Sequence, residues 1–135
     1  MAFTGNFTCN SFKSGLINGD FDFDTDTIKI ALYTNNATLN ADTSAYTATG
    51  EVSASGYTAG GNTLTVTQGI SNNVAFISFT DTSWSAAITA RGALIYKDGG
   101  GAICVLDFGS DKTSTTTFTV DFPTASSTDA LIRLS

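Results

Sequence analysis

The chain has 135 residues and a net charge of −6, a length that suits one domain of roughly 100–200 residues around a single hydrophobic core. Apolar residues make up 41% and charged residues 13%, the latter about half the usual share of roughly 25%, while 23 Thr and 14 Ser build the polar surface from hydroxyls. These proportions exclude a disordered chain, which would be poor in the aromatics that reach 11% here, a Glu- and Lys-rich helical bundle, and a nucleic-acid binder with a basic face, since there are only six cations.

Residues 1–24 read as an N-terminal aromatic arm. They hold five of the ten phenylalanines: Phe3, Phe7, Phe12, Phe21 and Phe23. Asn10 is placed to cap a short helix over 11–17 that Gly19 stops, with Phe12, Leu16 and Ile17 on one face. A leader this aromatic needs a surface to lie on, either its own domain or a neighbouring subunit. Phe3, Phe7 and Phe12 are therefore interface candidates. The leader lacks the basic and apolar regions of a secretion signal. The longest apolar runs, about five residues, fall far short of the roughly 20 that cross a bilayer, so no membrane partner is expected.

The arm ends in Asp20-Phe21-Asp22-Phe23-Asp24-Thr25-Asp26. As an extended strand this would line Asp20, Asp22, Asp24 and Asp26 along one face about 7 Å apart, with both phenylalanines on the other. Clustered carboxylates attract hard cations such as Ca²⁺, but the glycine and the bidentate glutamate of an EF-hand loop are missing. The four aspartates are weak candidates for an opportunistic cation, against a solvated acidic face. No dedicated metal site and no cofactor are expected.

Residues 25–135 read as the β domain. The run 27–33 alternates, with Ile28, Ile30 and Leu32 on one face, and 63–67 alternates apolar against hydroxyl. The runs 74–79, 93–96 and 102–108 are nearly continuous in apolar residues, as suits strands packed on both faces. A further alternation covers 117–122, and 130–134 closes the chain as a short strand. Turn residues punctuate at 60–62, 71–73, 98–101 and 109–111, and 98–101 joins two apolar strands as a hairpin. The stretch 34–59 is irregular, with one helical turn expected near 42–46. Seven or so short strands with frequent turns predict an all-β fold, a single-domain antiparallel β-sandwich of Ig-like or jelly-roll type.

Little in the chain suits catalysis. There is no His, which removes the commonest general base and the commonest transition-metal ligand. A Ser or Thr nucleophile would need Lys or Asp as base, and none of the four lysines has a Ser at a diagnostic spacing. Asp107-Phe108-Gly109 shares three letters with a kinase motif, but the glycine-rich loop and strand lysine of that motif are missing. The glycines 99–101 precede Ala and Ile rather than Lys-Ser or Lys-Thr, so they form no phosphate loop. No catalytic residue is assigned and no enzyme is expected. Cys9 and Cys104 are too few for a disulfide framework and form either one bridge or two reduced apolar thiols. Trp84 lies in the polar segment 81–85, as a plug at one end of the domain or as an interface anchor or carbohydrate platform. Arg91 is expected to pair with an Asp, and Gly92 to permit a bulge or a close backbone approach.

A set of phrases occurs in a recurring order: Lys29-Ile30-Ala31-Leu32-Tyr33-Thr34-Asn35, Ala37-Thr38-Leu39-Asn40-Ala41, Ala45-Tyr46-Thr47, Gly50-Glu51-Val52-Ser53 and Gly56-Tyr57-Thr58-Ala59-Gly60-Gly61. Ala90-Arg91-Gly92-Ala93-Leu94-Ile95-Tyr96 and Val105-Leu106-Asp107-Phe108-Gly109-Ser110-Asp111-Lys112 follow. Over roughly residues 10–134 this order resembles the small virion structural proteins of tailed bacteriophages. The resemblance implies a non-enzymatic particle component, made in the bacterial cytoplasm and carried in the virion. It implies a capsid decoration (cement) protein that touches the major capsid protein or other virion proteins, or else a tail-associated, adhesin-like one. It also implies a homo-oligomer, with a trimer matching the three-fold positions of an icosahedral shell.

Overall fold

The computed structural model describes residues 3–134; Met1, Ala2 and Ser135 lie outside the described residues. The chain is mostly β, with antiparallel sheets and one short N-terminal helix. In order come β1 (Phe7–Thr8), α1 (Asn10–Asn18), β2 (Ile28–Tyr33), β3 (Asn62–Thr63), β4 (Val66–Ser71) and β5 (Val74–Phe79). β6 (Thr82–Trp84), β7 (Thr89–Lys97), β8 (Ala102–Thr113), β9 (Phe118–Val120) and β10 (Ile132–Leu134) follow. They form a five-stranded sheet in the order β1-β8-β7-β2-β3, a three-stranded sheet β10-β5-β4, and a two-stranded sheet β6-β9.

The five-stranded sheet is covered on both faces, which accounts for the continuous apolar runs of β7 and β8. On one face Ile28, Ile30, Leu32, Ala93, Ile95 and Ile103 pack with Phe12 of α1 and with residues of the smaller sheets such as Phe79, Trp84 and Phe118. On the other face Ala31, Tyr33, Leu94 and Val105 pack with Phe3, Cys9, Ala37 and Leu39. Thus β2 alternates as expected, and its second set of side chains is buried as well, under the irregular segment that follows it. Cys104 shares its face with Ile103 because a register shift lies between Ile95 and Tyr96 of β7, where β8 holds an extra residue.

Two hairpins follow from local chemistry. The 98–101 turn joins β7 to β8 as expected. Asn72 and Asn73, with φ of 53° and 64°, form the two-residue link from β4 to β5, a turn whose twist matches the strands and whose left-handed positions Asn tolerates better than most residues. Gly92 sits where an added Cβ would meet Leu106 O at 2.4 Å and the Phe3 ring at the same distance. That is the close approach anticipated there, and a register shift between Ala90 and Gly92 accompanies it.

Several local expectations are corrected. The helix runs from Asn10 to Asn18, with Cys9 rather than Asn10 at the cap position and no side-chain capping bond. The Asn10 side chain is engaged elsewhere, donating to Asp42 Oδ1 at 3.0 Å. Gly19 does end the helix, at φ 79°. Ile17 does not share the Phe12 face; it is 87% exposed. Residues 20–26 form a turn, not a strand. The alternating run 63–67 is divided, because Leu64 N–H is taken by Ile28 O while Thr65 O accepts from Thr80. β5 is half-buried over most of its length rather than covered on both faces. Residues 42–46 make a turn and an isolated bridge from Ala45 to Gly101, with no helical turn.

Candidate functional site

The aromatic leader is bonded into the body. β1 lies antiparallel to β8, with Phe7 opposite Val105 and Thr8 opposite Cys104, and Cys9 N–H continues to Ile103 O at 2.9 Å. Phe3 is 1% exposed and Phe12 2% exposed, on opposite faces of the five-stranded sheet. Burial of each contributes roughly 2–3 kcal/mol to holding the leader down. Phe7 is half-buried. Trp84 is 4% exposed and packs between Tyr57 and Phe118, at ring centroid distances of 5.9 and 6.4 Å. The four sequence-nominated interface residues therefore do not converge on one surface, and Phe3, Phe12 and Trp84 lie in the interior.

The acidic row uses its carboxylates on itself. Asp22 Oδ1 accepts from Asp24 N–H at 2.9 Å, and Asp26 Oδ2 accepts from Asp22 N–H at 2.7 Å. Asp24 accepts from the Gln68 side chain. Lys97 Nζ lies 3.2 Å from Asp26 Oδ2, donates to Asp20 O at 2.7 Å, and sits 5.9 Å above the Phe21 ring. The Asp22 amide, followed by Lys97, holds the Asp26 carboxyl below its ordinary range. Among the described residues no group of three or more His, Cys, Asp or Glu side chains is assembled to hold a metal ion. Asp22, Asp24 and Asp26 thus sit in a carboxylate-capped turn rather than along one strand face, and Asp20 precedes it with its C=O accepting from Lys97. Arg91 Nε lies 2.9 Å from Asp107 Oδ1, the aspartate partner the sequence called for. That guanidinium, with the Gly109 N–H, keeps the Asp107 carboxyl low.

Cys9 and Cys104 are free and buried. Their side chains belong to opposite faces of the sheet, which keeps the sulfurs from bridging. Burial pushes the Cys9 thiol up to about 11 and the Cys104 thiol up to about 12, so neither is a nucleophile at neutral pH.

A constellation the sequence reading passed over centres on Glu51, the one glutamate of the chain. Its carboxylate accepts from the hydroxyls of Tyr46 and Tyr57, the latter at 2.6 Å, and from Gly60 N–H at 2.8 Å. The other two tyrosines tie down the same segment: Tyr33 donates to Thr47 O and Tyr96 to Gly60 O, both at 2.6 Å. Burial, and for Tyr46 also Glu51, raises the Tyr46 and Tyr96 phenols to about 12, and raises Tyr33 and Tyr57 further. The signal in the sequence is a lone Glu between Tyr46 and Tyr57 in a polar stretch. Beside this hub an open trough of about 480 Å³ is lined by residues including Lys29, Tyr46, Gly60, Tyr96 and Lys97. A second open trough, about 440 Å³, lies between the end of β8 and β9 and includes Phe108, Lys112, Phe118 and Asp121.

A third concave feature is apolar. It lies between α1 and the three-stranded sheet and is lined by Phe12, Leu16, Ala75, Ile77, Ile132 and Leu134 among others. Ile70, Ala75 and Leu134 stand in one row across β4, β5 and β10. The large exposed apolar side chains of the described residues are Ile17, Ile70 and Leu134. Ile70 and Leu134 belong to this row, and Ile17 follows Leu16 on α1. No helix of the described residues is long and apolar enough to cross a membrane. No family model matches the chain, and no match was found among the curated proteins or the solved structures.

Proposed function

We propose that this chain is a non-enzymatic structural protein of a tailed bacteriophage particle, a capsid decoration (cement) protein that stabilises the head shell. In this reading its sheets form a β-sandwich of Ig-like or jelly-roll type. The observation that carries the reading is the apolar groove between α1 and the three-stranded sheet, continued across β4, β5 and β10 by the exposed side chains of Ile70 and Leu134. Contiguous apolar surface on a folded domain marks a contact with another macromolecule. The leader supports the same reading: bonded into the sheet through β1, it makes the body stiff, as copies added at fixed geometry must be. The partners are the major capsid protein or other virion proteins and further copies of this chain. The resemblance implies a three-fold ring, and neither nucleic acid nor membrane is a partner.

The alternative, a tail-associated or adhesin-like receptor-binding component, is favoured by the Lys29–Tyr46–Tyr96 trough. A half-buried tyrosine beside a lysine offers a ring face and a hydrogen-bond donor to a glycan. Labelling purified particles at an engineered surface cysteine, with counting of copies by quantitative mass spectrometry, tests both. Label spread over the shell in copy numbers matching its symmetry is the expected outcome. Label at the tail selects the alternative, and a particle free of the chain overturns both.

A further inference from the structure

The edges of β-sheets decide what they join, and natural proteins guard them with short strands, charges, prolines or bulges. β1 and β3 are two residues long, and β6, β9 and β10 are three. The stretch of β8 beyond its pairing with β1 carries Asp107, Asp111 and Lys112 and lies at a register shift. The residues of β4 itself supply none of these guards. It pairs with β5 on one side through six consecutive residues without a register shift, and its other side has no strand among the described residues. It contains no charge and no proline, and all of it beyond Val66 is exposed.

The direction of its main-chain groups is fixed. Thr65 O accepts from Thr80 N–H at 3.0 Å, so Thr65, Thr67, Gly69 and Ser71 turn toward β5 in the antiparallel alternation. Val66, Gln68 and Ile70 then turn their N–H and C=O groups outward. The Ile70 side chain is 75% exposed.

We propose that β4 is a self-pairing edge: two copies of the chain join β4 to β4 antiparallel about a two-fold axis at Gln68, fusing their three-stranded sheets. In that register Val66 faces Ile70 of the second copy, Gln68 faces Gln68, and Ile70 faces Val66, each pair exchanging both main-chain bonds. The match is self-complementary, apolar to apolar and amide to amide, and a two-fold contact needs nothing else. It gives Ile70 a cover. A chain of charge −6 repels its copies, and β4 itself adds no charge to that repulsion. Asp24, bonded to the Gln68 side chain, brings a carboxylate near the axis, so added salt tightens the pair. One strand pair buries less than the roughly 1,200 Å² of a stable interface, so the pair is weak in dilute solution and forms at high local concentration. It does not close a three-fold ring and is independent of where the protein works.

The test is cross-linking of the full chain carrying Gln68→Cys under mild oxidation, with Ser53→Cys, also exposed, as control. The native thiols are buried and do not compete. Gln68→Cys is expected to form a covalent dimer about tenfold faster than the control or more, since the paired Cα atoms lie near 5.5 Å, within disulfide reach. Ile70→Pro in the Gln68→Cys background removes an outward N–H without touching the β5 ladder, and Ile70→Lys installs a guard charge; each is expected to return the rate to that of the control. Circular dichroism checks that each variant is folded. A Gln68→Cys chain that cross-links no faster than Ser53→Cys overturns the proposal. So does a rate that folded Ile70→Pro and Ile70→Lys variants both leave unchanged.

Discussion

The Tyr57 hydroxyl donates to Glu51 Oε2 at 2.6 Å and accepts from Leu32 N–H at 2.9 Å. One phenol thereby links the irregular segment after β2 to the main chain of β2 itself. Val52 N–H reaches Leu32 O at 2.9 Å, and an isolated bridge pairs Tyr33 with Glu51. The segment 34–61 has no strand of its own, yet it packs Ala37 and Leu39 on one face of the five-stranded sheet and Val52 and Tyr57 into the core on the other. Side-chain bonds to the chain's four tyrosines replace the ladder that a strand would have supplied.

Glu51→Ala removes the acceptor from two tyrosine hydroxyls and from Gly60 N–H, and is expected to cost about 3 kcal/mol, since bonds to a charged group are the strong ones and the stranded donors stay partly buried. Glu51→Gln keeps one acceptor oxygen and is expected to cost about 1 kcal/mol. Urea unfolding measures both. A neutral Glu51→Ala would show that the segment is held by packing alone.

The same tyrosines are expected to weaken the fold at alkaline pH. Their native values lie above the ordinary value near 10, with Tyr46 and Tyr96 at about 12. The unfolded chain thus releases phenol protons that the native chain retains. Stability falls with pH wherever the unfolded state binds fewer protons. This contribution is fully present below pH about 10 and is lost as pH climbs through the native values. Phenolate absorbance of the native protein is expected to lag that of the unfolded chain across this window. A native titration midpoint near 10 for all four tyrosines would refute the burial argument.

Gly61 has φ +79°, and an added Cβ would stand 1.7 Å from Ile30 O. Gly61→Ala must push β3 off β2 and is expected to destabilise by about 4 kcal/mol or prevent folding. Gly99, at φ +75° in the 98–101 hairpin turn, has open space around its Cβ position, so Gly99→Ala bears only the left-handed strain of about 1 kcal/mol. Thermal unfolding of the two variants separates steric conflict from backbone conformation.

The strands β2, β5, β7 and β8 were legible because their apolar patterns carry the period that burial imposes. The helix was legible from Gly19 and the position of Phe12. The acidic row was misread because alternation of Asp and Phe fits a pleated strand, while Asp also bonds nearby amides in turns. Side-chain chemistry won there, with Lys97 closing the turn from β7, some 70 positions along the chain. The Glu51 hub was invisible to periodicity because its partners are spread over Tyr46, Tyr57 and Gly60 of an irregular stretch. Only the fold reveals that β2 runs beneath it.

Cys9 and Cys104 are expected to resist thiol reagents in the native state, because burial raises both thiols and hides them. A disulfide reagent added at pH 8 should label neither until denaturant is present, and then both. Labelling at the rate of local opening alone would reveal how tightly β1 is held on β8, since Cys9 N–H is the next rung of that pairing. Rapid labelling of Cys9 with Cys104 protected would mean that the leader detaches as a unit.

Trp84 offers the last check on the interior. Its Nε1–H is buried without a hydrogen-bond partner among the described groups, so the indole contributes area and shape rather than a polar contact. Trp84→Phe therefore loses no bond and is expected to cost about 1–2 kcal/mol, from the smaller ring against Tyr57 and Phe118. Trp84→Ala opens a cavity and is expected to cost about 3–5 kcal/mol. A loss for Trp84→Phe well above 2 kcal/mol would mean that the indole N–H bonds a buried water, a partner the phenyl ring cannot keep. Native fluorescence is expected to be blue-shifted relative to the unfolded chain, and a red-shifted native spectrum would place the indole in solvent instead.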